Sequence, residues 1–203
     1  MTSLELLLGP MRSNKTEELL RRVAMRREYA HQSVMILKPS NDTKSGTGLI
    51  ESRNPNGHRK MQAFEFDSTN PWSVFAAIAA QEQSIGKRID CIALDEAQFV
   101  NKLFSFTGVL LEKDYDVIIA GLDLDFRGLP FGDVMRLMWF TAAYGGSITW
   151  CIAYCACGNR AWFSQRLING EPAPYESNLV IPGDSYEPRC RQHFVLPGRA
   201  GSW

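Results

Sequence analysis

Residues 9–16, Gly-Pro-Met-Arg-Ser-Asn-Lys-Thr, have a spacing suited to binding phosphate. The segment follows the Walker A pattern G-x-x-x-x-G-K-[ST], except that Asn14 stands in place of the second glycine. Backbone N–H groups and the dipole of a following helix would receive phosphate oxygens. Lys15 would reach the β- and γ-phosphates of a nucleotide, and the Thr16 hydroxyl would bind Mg²⁺. The predicted nucleotide-binding set is Gly9, Pro10, Met11, Arg12, Ser13, Asn14, Lys15 and Thr16.

The asparagine at position 14 is compatible with such a loop. Glycine serves at this position because it accepts positive φ and lets the backbone approach phosphate closely. Asparagine is among the few other residues that visit the left-handed region readily, so we expect the loop to keep its shape at a modest cost. The alternative is an ordinary polar turn that caps a helix. The Lys15-Thr16 pair at a strand-to-helix junction favours the phosphate-binding interpretation.

A second chemical signal is the acidic pair Asp95-Glu96, which follows an apolar strand. In open α/β sheets, ligands bind at the carboxyl ends of the strands. Asp95 is predicted to orient Mg²⁺ through its water, and Glu96 to accept the proton of an attacking hydroxyl. Gln98 is assigned to the same nucleotide site. Alternatively, the acids only begin the next helix, where negative charge is favoured; the upstream Lys15-Thr16 makes the catalytic interpretation stronger.

Cysteine and histidine residues near the C-terminus form two pairs with metal-ligand spacing. The pairs are separated by about thirty residues, as in a zinc knuckle. The predicted zinc ligands are Cys155, Cys157, Cys190 and His193. Four protein ligands leave no open position, so the metal would be structural. Cys151 is a competing ligand, although its predicted strand position suits a buried thiol better, and unliganded thiols with a surface histidine are the remaining alternative.

Hydrophobic patterning predicts strands that alternate with helices, which is typical of a doubly wound and mostly parallel sheet. The predicted strands are 4–8, 33–37, 61–66, 89–94, 116–122 and 147–153, and the predicted helices are 15–29, 74–83, 99–111 and 134–144. Residues 40–60 are polar and predict a mobile loop. The sequence therefore predicts a P-loop α/β domain over residues 1–146 and a small zinc-binding domain over 147–203.

Composition narrows the classes of partner. The 203 residues include 22 Lys plus Arg and 22 Asp plus Glu, so the net charge is zero, which argues against nucleic acid. No run approaches the roughly 20 apolar residues of a membrane span, and the N-terminus lacks the pattern of a signal peptide. We therefore predict no membrane partner and a cytoplasmic location, where cysteines remain reduced.

Five segments occur in an order and spacing that resemble one family. They are GPMRSNKTEEL, ALDEAQF, GLDLDFRGLPFG, CACGNRA and YEPRCRQHF. Together they resemble the zinc-containing thymidine kinase family of cells, bacteria and large phages, from about Leu4 to Phe194. The Cys-x-Cys form of the first zinc pair is similar to the enterobacterial and phage branch, which favours Cys155 and Cys157 over Cys151 as ligands.

This resemblance implies a function and a set of site residues. The implied reaction is ATP-dependent phosphorylation of the 5′-hydroxyl of thymidine in nucleotide salvage for DNA synthesis, with magnesium, a structural zinc ion and a homotetramer. Glu96 falls on the catalytic base of the family, and a lasso-like loop of the zinc domain would fold over the nucleoside. The implied nucleoside-binding residues are Met11, Phe99, Leu122, Phe126, Phe131, Val180, Ile181 and Tyr186.

Departures from the family pattern fall mostly on the phosphate-donor side. Asn14 replaces a glycine, Arg12 a phenylalanine and Lys44 an arginine, while Arg53 stands near an expected histidine. Because of these departures, a second interpretation stays open, in which the protein is a catalytically impaired homologue that only binds a nucleotide or nucleoside. A P-loop ATPase coupled to a protein partner and a zinc-ribbon nucleic-acid binder are weaker alternatives.

Overall fold

The computed structural model describes residues 2–41, 47–52, 59–175 and 185–197. Its centre is a six-stranded sheet in which every neighbouring pair of strands is parallel, in the order β5-β2-β6-β7-β1-β8. These strands are β1 (Leu4–Leu8), β2 (Val34–Pro39), β5 (Phe64–Phe66), β6 (Cys91–Leu94), β7 (Asp116–Gly121) and β8 (Ser147–Trp150). The predicted parallel α/β fold is confirmed.

Helices cover both faces of this sheet, as a doubly wound fold requires. They are α1 (Lys15–Glu28), α2 (Val74–Ile85), α3 (Leu103–Glu112) and α4 (Val134–Tyr144). Strand β1 shows the two faces, because Leu6 and Leu8 pack in the cluster that includes α2, α3 and α4, whereas Leu7 packs with α1. All three leucines are 0% exposed, and burying each such side chain contributes about 1.5–3 kcal/mol. None of the described helices combines the length and apolarity needed to cross a membrane.

The segment predicted as a loop, 40–60, contains the first strand of a β-hairpin and the first residue of the second strand. Strands β3 (Leu49–Glu51) and β4 (Lys60–Gln62) pair antiparallel. Ile50 is 2% exposed in the cluster that includes α1, so apolar burial holds β3 in place despite its polar surroundings. The prediction of one strand over 61–66 is wrong, because the chain leaves the hairpin at Ala63 and then enters the central sheet as β5. Lys44 and Arg53 lie outside the described residues.

The helix predicted from residue 99 also begins elsewhere. A 3₁₀ turn covers Ala97–Phe99, Val100 is extended, and α3 begins at Leu103. Lys102 has a φ of 55°, which breaks the helical path between the turn and α3. The turn matters for function because it directly follows Asp95 and Glu96.

Residues 153–197, here called the C-terminal unit, contain short antiparallel strands. Strand β9 (Ala153–Tyr154) pairs with β10 (Arg160–Ala161), and β11 (Phe163–Ile168) pairs with both β12 (Glu171–Pro172) and β13 (Ser185–Arg189). Strand β8 instead pairs with β1 in the central sheet. The sheet thus continues past the predicted boundary between residues 146 and 147, since the antiparallel pattern begins only after Trp150.

Candidate active site

The candidate catalytic groups meet at the carboxyl edge of the parallel sheet. The phosphate loop follows β1, Asp95 and Glu96 follow β6, and Asp123 lies just after β7. Strand β7 lies between β1 and β6, so the carboxyl ends of the three strands are side by side. Residues that are far apart in the sequence are therefore close together at this edge. This is the edge at which open α/β sheets bind ligands. The parallel topology therefore brings the two predicted motifs, 9–16 and 95–98, to one place.

Three residues of the phosphate loop, Gly9, Arg12 and Asn14, have positive φ angles. Gly9 has a φ of 146°, and a Cβ atom there would collide with the Cys151 carbonyl oxygen at the end of β8. Asn14 has φ 61° and ψ 26°, the left-handed conformation expected for it. Its side chain makes no capping hydrogen bond, while its carbonyl accepts the Glu18 N–H at 3.0 Å. Asn14 therefore provides the backbone shape for which glycine is usual.

The side chain of Lys15 turns back into the phosphate loop. Its Nζ donates to the Pro10 carbonyl at 2.8 Å and to Ser13 Oγ at 3.3 Å. Burial lowers the pKa of Lys15, while the charges of Glu96 and Asp95 act in the opposite direction. The ammonium group is therefore close to the acidic groups and is held by neutral oxygen acceptors, which a phosphate group could replace.

The two motifs are joined directly by a hydrogen bond. Thr16 Oγ1 donates to Asp95 Oδ2 at 2.9 Å, and Asp95 is 5% exposed. Burial raises the pKa of Asp95 to about 7, and the nearby Glu96 charge adds to this, while the Thr16 hydrogen bond opposes it. A hydroxyl beside a carboxylate supplies the hard oxygen donors that Mg²⁺ prefers. The donor chemistry at Thr16 and Asp95 thus fits the predicted magnesium site.

Glu96 and Gln98 form the turn that follows β6. Glu96 has φ 50° and ψ 40°, a left-handed conformation that is uncommon for this residue type. Gln98 Nε2 donates to Glu96 Oε2 at 2.5 Å, and Gln98 Oε1 accepts the Leu122 N–H at 2.9 Å. The side-chain amide of Gln98, which the sequence assigns to the nucleotide site, is hydrogen-bonded to these two protein groups.

The predicted nucleoside-binding residues fall into groups beside these motifs. Phe99 packs edge-to-face on Phe131, with ring centroids 5.6 Å apart. Phe126 is 2% exposed, and its ring centroid lies 5.2 Å from the Arg166 guanidinium. Tyr186 on β13 is directly opposite Arg166 on β11 in the antiparallel strand register. Leu122 is 6% exposed and adjoins Gln98. Val180 and Ile181 lie outside the described residues.

Met11 connects the phosphate loop to the C-terminal unit. Its N–H donates to Ser164 Oγ at 2.9 Å, and Ser164, on β11, is 3% exposed. The loop after β7 also meets this unit, because the Arg166 guanidinium lies over the Phe126 ring at 5.2 Å. The C-terminal unit therefore contacts both the phosphate loop and the loop after β7.

Sequence reasoning missed three residues near the site. Asp123 is 9% exposed, burial raises its pKa, and its charge acts on Lys15. The sequence could have indicated Asp123, because it follows an apolar strand as Asp95 does. Ser164 and Arg166 could not be identified from the sequence, because their contacts are with residues more than 35 positions away.

The predicted zinc ligands form one compact cluster. One ligand atom from each of Cys155, Cys157, Cys190 and His193 lies within 4.8 Å of the others. The Sγ atoms of Cys157 and Cys190 are 3.7 Å apart. His193 Nδ1 lies 3.7 Å from Cys155 Sγ and 3.3 Å from Cys190 Sγ. Tetrahedral zinc with Zn–S bonds near 2.3 Å places its sulfur ligands about 3.8 Å apart, so the cluster fits zinc.

Tight turns hold the two halves of this cluster. The Gly158 N–H donates to the Cys155 carbonyl at 2.8 Å, and the His193 N–H donates to the Cys190 carbonyl at 3.1 Å. Cys151 is not a member of the cluster and lies beside Gly9 of the phosphate loop. The structure thus separates Cys151 from the four residues that could bind zinc.

A phosphate loop at the carboxyl edge of a parallel sheet, hydrogen-bonded to a buried aspartate two strands away, is typical of a P-loop nucleotide-binding fold, and a Cys₃His cluster that could bind a metal ion accompanies it. The sequence model of the thymidine kinase family matches residues 2–194, and the chain belongs to the thymidine kinase family. Membership implies a kinase that uses thymidine and ATP, which is the class indicated by the five sequence segments.

Proposed function

We propose that the protein transfers the γ-phosphate of ATP to the 5′-hydroxyl of thymidine, giving thymidine monophosphate and ADP. The observation that carries this proposal is the 2.9 Å hydrogen bond between Thr16 and Asp95, which joins the phosphate loop to the acidic turn. The thymidine 5′-oxygen would attack the γ-phosphorus, and the bond to the β,γ-bridging oxygen would break, with its electrons leaving on ADP. The hydroxyl proton would pass to Glu96.

The loop and the start of α1 would bind the phosphates. Backbone N–H groups at this helix N-terminus favour anionic oxygen atoms. Lys15 would exchange its contacts with Pro10 and Ser13 for phosphate oxygens, and its positive charge would balance charge that develops during transfer. Thr16 and Asp95 would hold Mg²⁺, which when bound neutralises charge on the β- and γ-phosphates.

Glu96 is the proposed general base. It lies next to Asp95 at the end of β6, and its carboxylate is held by Gln98. A base must lie within hydrogen-bonding reach of the hydroxyl, so the nucleoside would occupy the space beside this turn. Phe99, at the end of the turn, and Leu122, which contacts it, would line that space. The other implied contacts, Met11, Phe126, Phe131, Val180, Ile181 and Tyr186, rest on the family resemblance.

The C-terminal unit would close this space against water. Water exclusion matters because an accessible phosphoryl group could be transferred to water instead of the nucleoside. The zinc ion would have a structural role, because Cys155, Cys157, Cys190 and His193 would occupy all four positions around it. A cytoplasmic homotetramer active in nucleotide salvage is proposed on the family resemblance alone.

The proposal is tested by incubating the zinc-loaded protein with thymidine, Mg²⁺ and ATP labelled at the γ-phosphate. We expect labelled thymidine monophosphate, and we expect Lys15→Met to reduce its formation at least 100-fold through loss of the phosphate-binding cation. Labelled inorganic phosphate without labelled nucleotide would indicate an ATPase. A folded, zinc-loaded protein that binds ATP or thymidine but forms neither product would indicate the catalytically impaired homologue.

A further inference from the structure

The side-chain amide of Gln98 forms a buried bridge between two parts of the candidate active site. Gln98 is 4% exposed. On one side it contacts the Glu96 carboxylate, and on the other it contacts the backbone of Leu122, just beyond β7. The bridge therefore connects the proposed base to the strand end beside the nucleoside space.

Hydrogen-bond chemistry fixes the orientation of this amide. The Leu122 backbone N–H can only donate, so the oxygen of Gln98 must face it. The amide nitrogen then points to Glu96, whose carboxylate oxygen accepts. Rotating the amide by 180° would place two donors together at Leu122 and two acceptors together at Glu96. The bridge thus has one satisfied arrangement.

Two glycines leave room for Gln98. A Cβ on Gly121 would lie 3.1 Å from Gln98 Oε1. Gly132 has a φ of 56°, and a Cβ there would lie 2.9 Å from the Gln98 carbonyl oxygen. Both glycines belong to the segment GLDLDFRGLPFG, whose Leu122 and Phe131 also contact the residues of this turn. Larger residues at either position would displace Gln98.

The base needs such support because of its local conformation. Glu96 has a φ of 50° and begins only a short 3₁₀ turn, so no regular helix constrains its side chain. A glutamate has three rotatable side-chain bonds, and small displacements of a catalytic group reduce rates strongly. A buried hydrogen bond from Gln98 restricts this freedom.

We propose that Gln98 is a positioning residue that holds the Glu96 carboxylate for phosphoryl transfer and does not contact ATP. This inference rests on the proposed kinase function. Gln98 acts on the transfer step, so its removal lowers kcat and leaves the KM values for ATP and thymidine unchanged.

The test compares Gln98→Met with the native enzyme. Methionine keeps the length of the side chain, adds no charge and removes both hydrogen bonds. We expect kcat to fall about 10- to 100-fold, in line with the effect of a small misplacement of a catalytic group. Both KM values should remain within about twofold, as should the equilibrium affinity for thymidine. Gln83→Met, at an exposed position on α2, is the matched control and should be indistinguishable from native.

A second variant covers the case in which Gln98→Met fails to fold. Gly121→Ala leaves the chemistry of Gln98 intact and pushes its oxygen by a few tenths of an ångström. We expect a smaller fall in kcat, again with unchanged KM values. A rise in the KM for ATP with an unchanged kcat in Gln98→Met would overturn the inference, as would native kinetics in a folded Gln98→Met. Absence of product from the native enzyme would instead refute the proposed function.

Discussion

The central sheet and the C-terminal unit differ in what stabilises them. Strands β1, β6 and β7 consist mainly of apolar residues that are at most 1% exposed, and they lie between helices on both faces. The buried cluster of the C-terminal unit has four small members, Ala153, Cys155, Ala161 and Cys190. Two of these are also candidate zinc ligands. Apolar burial is sufficient for the sheet, whereas we expect the C-terminal unit to depend on a metal ion bound by its Cys₃His cluster.

The two regions also have different proposed roles at the active site. Lys15, Thr16, Asp95 and Glu96 are all placed by the sheet and α1. The C-terminal unit contributes contacts from β11 and β13, and Ser164 joins it to the phosphate loop. The chemical groups should therefore stay in place when the C-terminal unit loses its structure, while closure over the nucleoside is lost.

The largest expected effect comes from breaking the metal centre. Structural zinc binding contributes on the order of 10 kcal/mol, so Cys190→Ser should unfold the C-terminal unit. Hydrogen exchange should then be fast in 153–175 and 185–195 but remain slow in β1 and β7. Cys91→Ser, a buried thiol outside the cluster, is the control and should retain one zinc ion per chain. Normal protection of the C-terminal unit in zinc-free Cys190→Ser would contradict the comparison.

The next effect comes from weakening the sheet. Leu7→Ala removes a 0% exposed side chain between β1 and α1, and such truncations cost about 2–5 kcal/mol. Urea denaturation should show this loss for the whole protein, with zinc still bound before the transition. Ile85→Ala, at a 38% exposed position, should change stability by less than about 1 kcal/mol. Equal effects of the two variants would show that β1 is not part of the stabilising core.

Much of this organisation could be predicted from the sequence, because it depends on patterns within short segments. The apolar runs of β1, β6 and β7, the helix Val134–Tyr144 and the cysteine–histidine spacing all have local signals. The left-handed conformation of Asn14 followed from its residue type. These features need no knowledge of distant neighbours.

Other features could not be predicted because distant contacts decide them. Strand β3 lies in a polar segment and is held by burial of Ile50 against α1. Gln98 is predicted from the sequence to belong to the nucleotide site, and its hydrogen bonds to Glu96 and to a backbone N–H 24 residues away have no local signal. Ser164 has no sequence signal, since its hydroxyl acts on Met11, 153 residues away.

A smaller effect is expected where the two regions meet. Ser164→Ala leaves the Met11 N–H without its acceptor, and an unsatisfied buried donor costs about 1–3 kcal/mol. We expect kcat/KM for thymidine phosphorylation to fall roughly fivefold to tenfold. Ser164→Thr keeps the hydroxyl and should recover most of the activity. If the alanine and threonine variants lose equal activity, the hydrogen bond does not connect the regions functionally.

The smallest effect is expected within the phosphate loop. Asn14→Gly removes the modest cost of a left-handed asparagine, so the KM for ATP should fall by no more than about threefold. Asn14→Ala should raise this KM, because alanine tolerates a φ of 61° less well. Titration of each variant with Mg-ATP checks both directions. Activity gained only on restoring glycine would mean that the native loop is impaired.

The most direct test of the central claim is a single-turnover measurement with Glu96→Gln. Enzyme in excess would be mixed with thymidine and saturating Mg-ATP, and thymidine affinity would be measured separately. Because general base catalysis typically contributes 10²–10⁴-fold, transfer should slow by about that factor, while thymidine affinity changes by less than about threefold. Phosphoryl transfer at the native rate in this variant would contradict the assignment of Glu96 as the base.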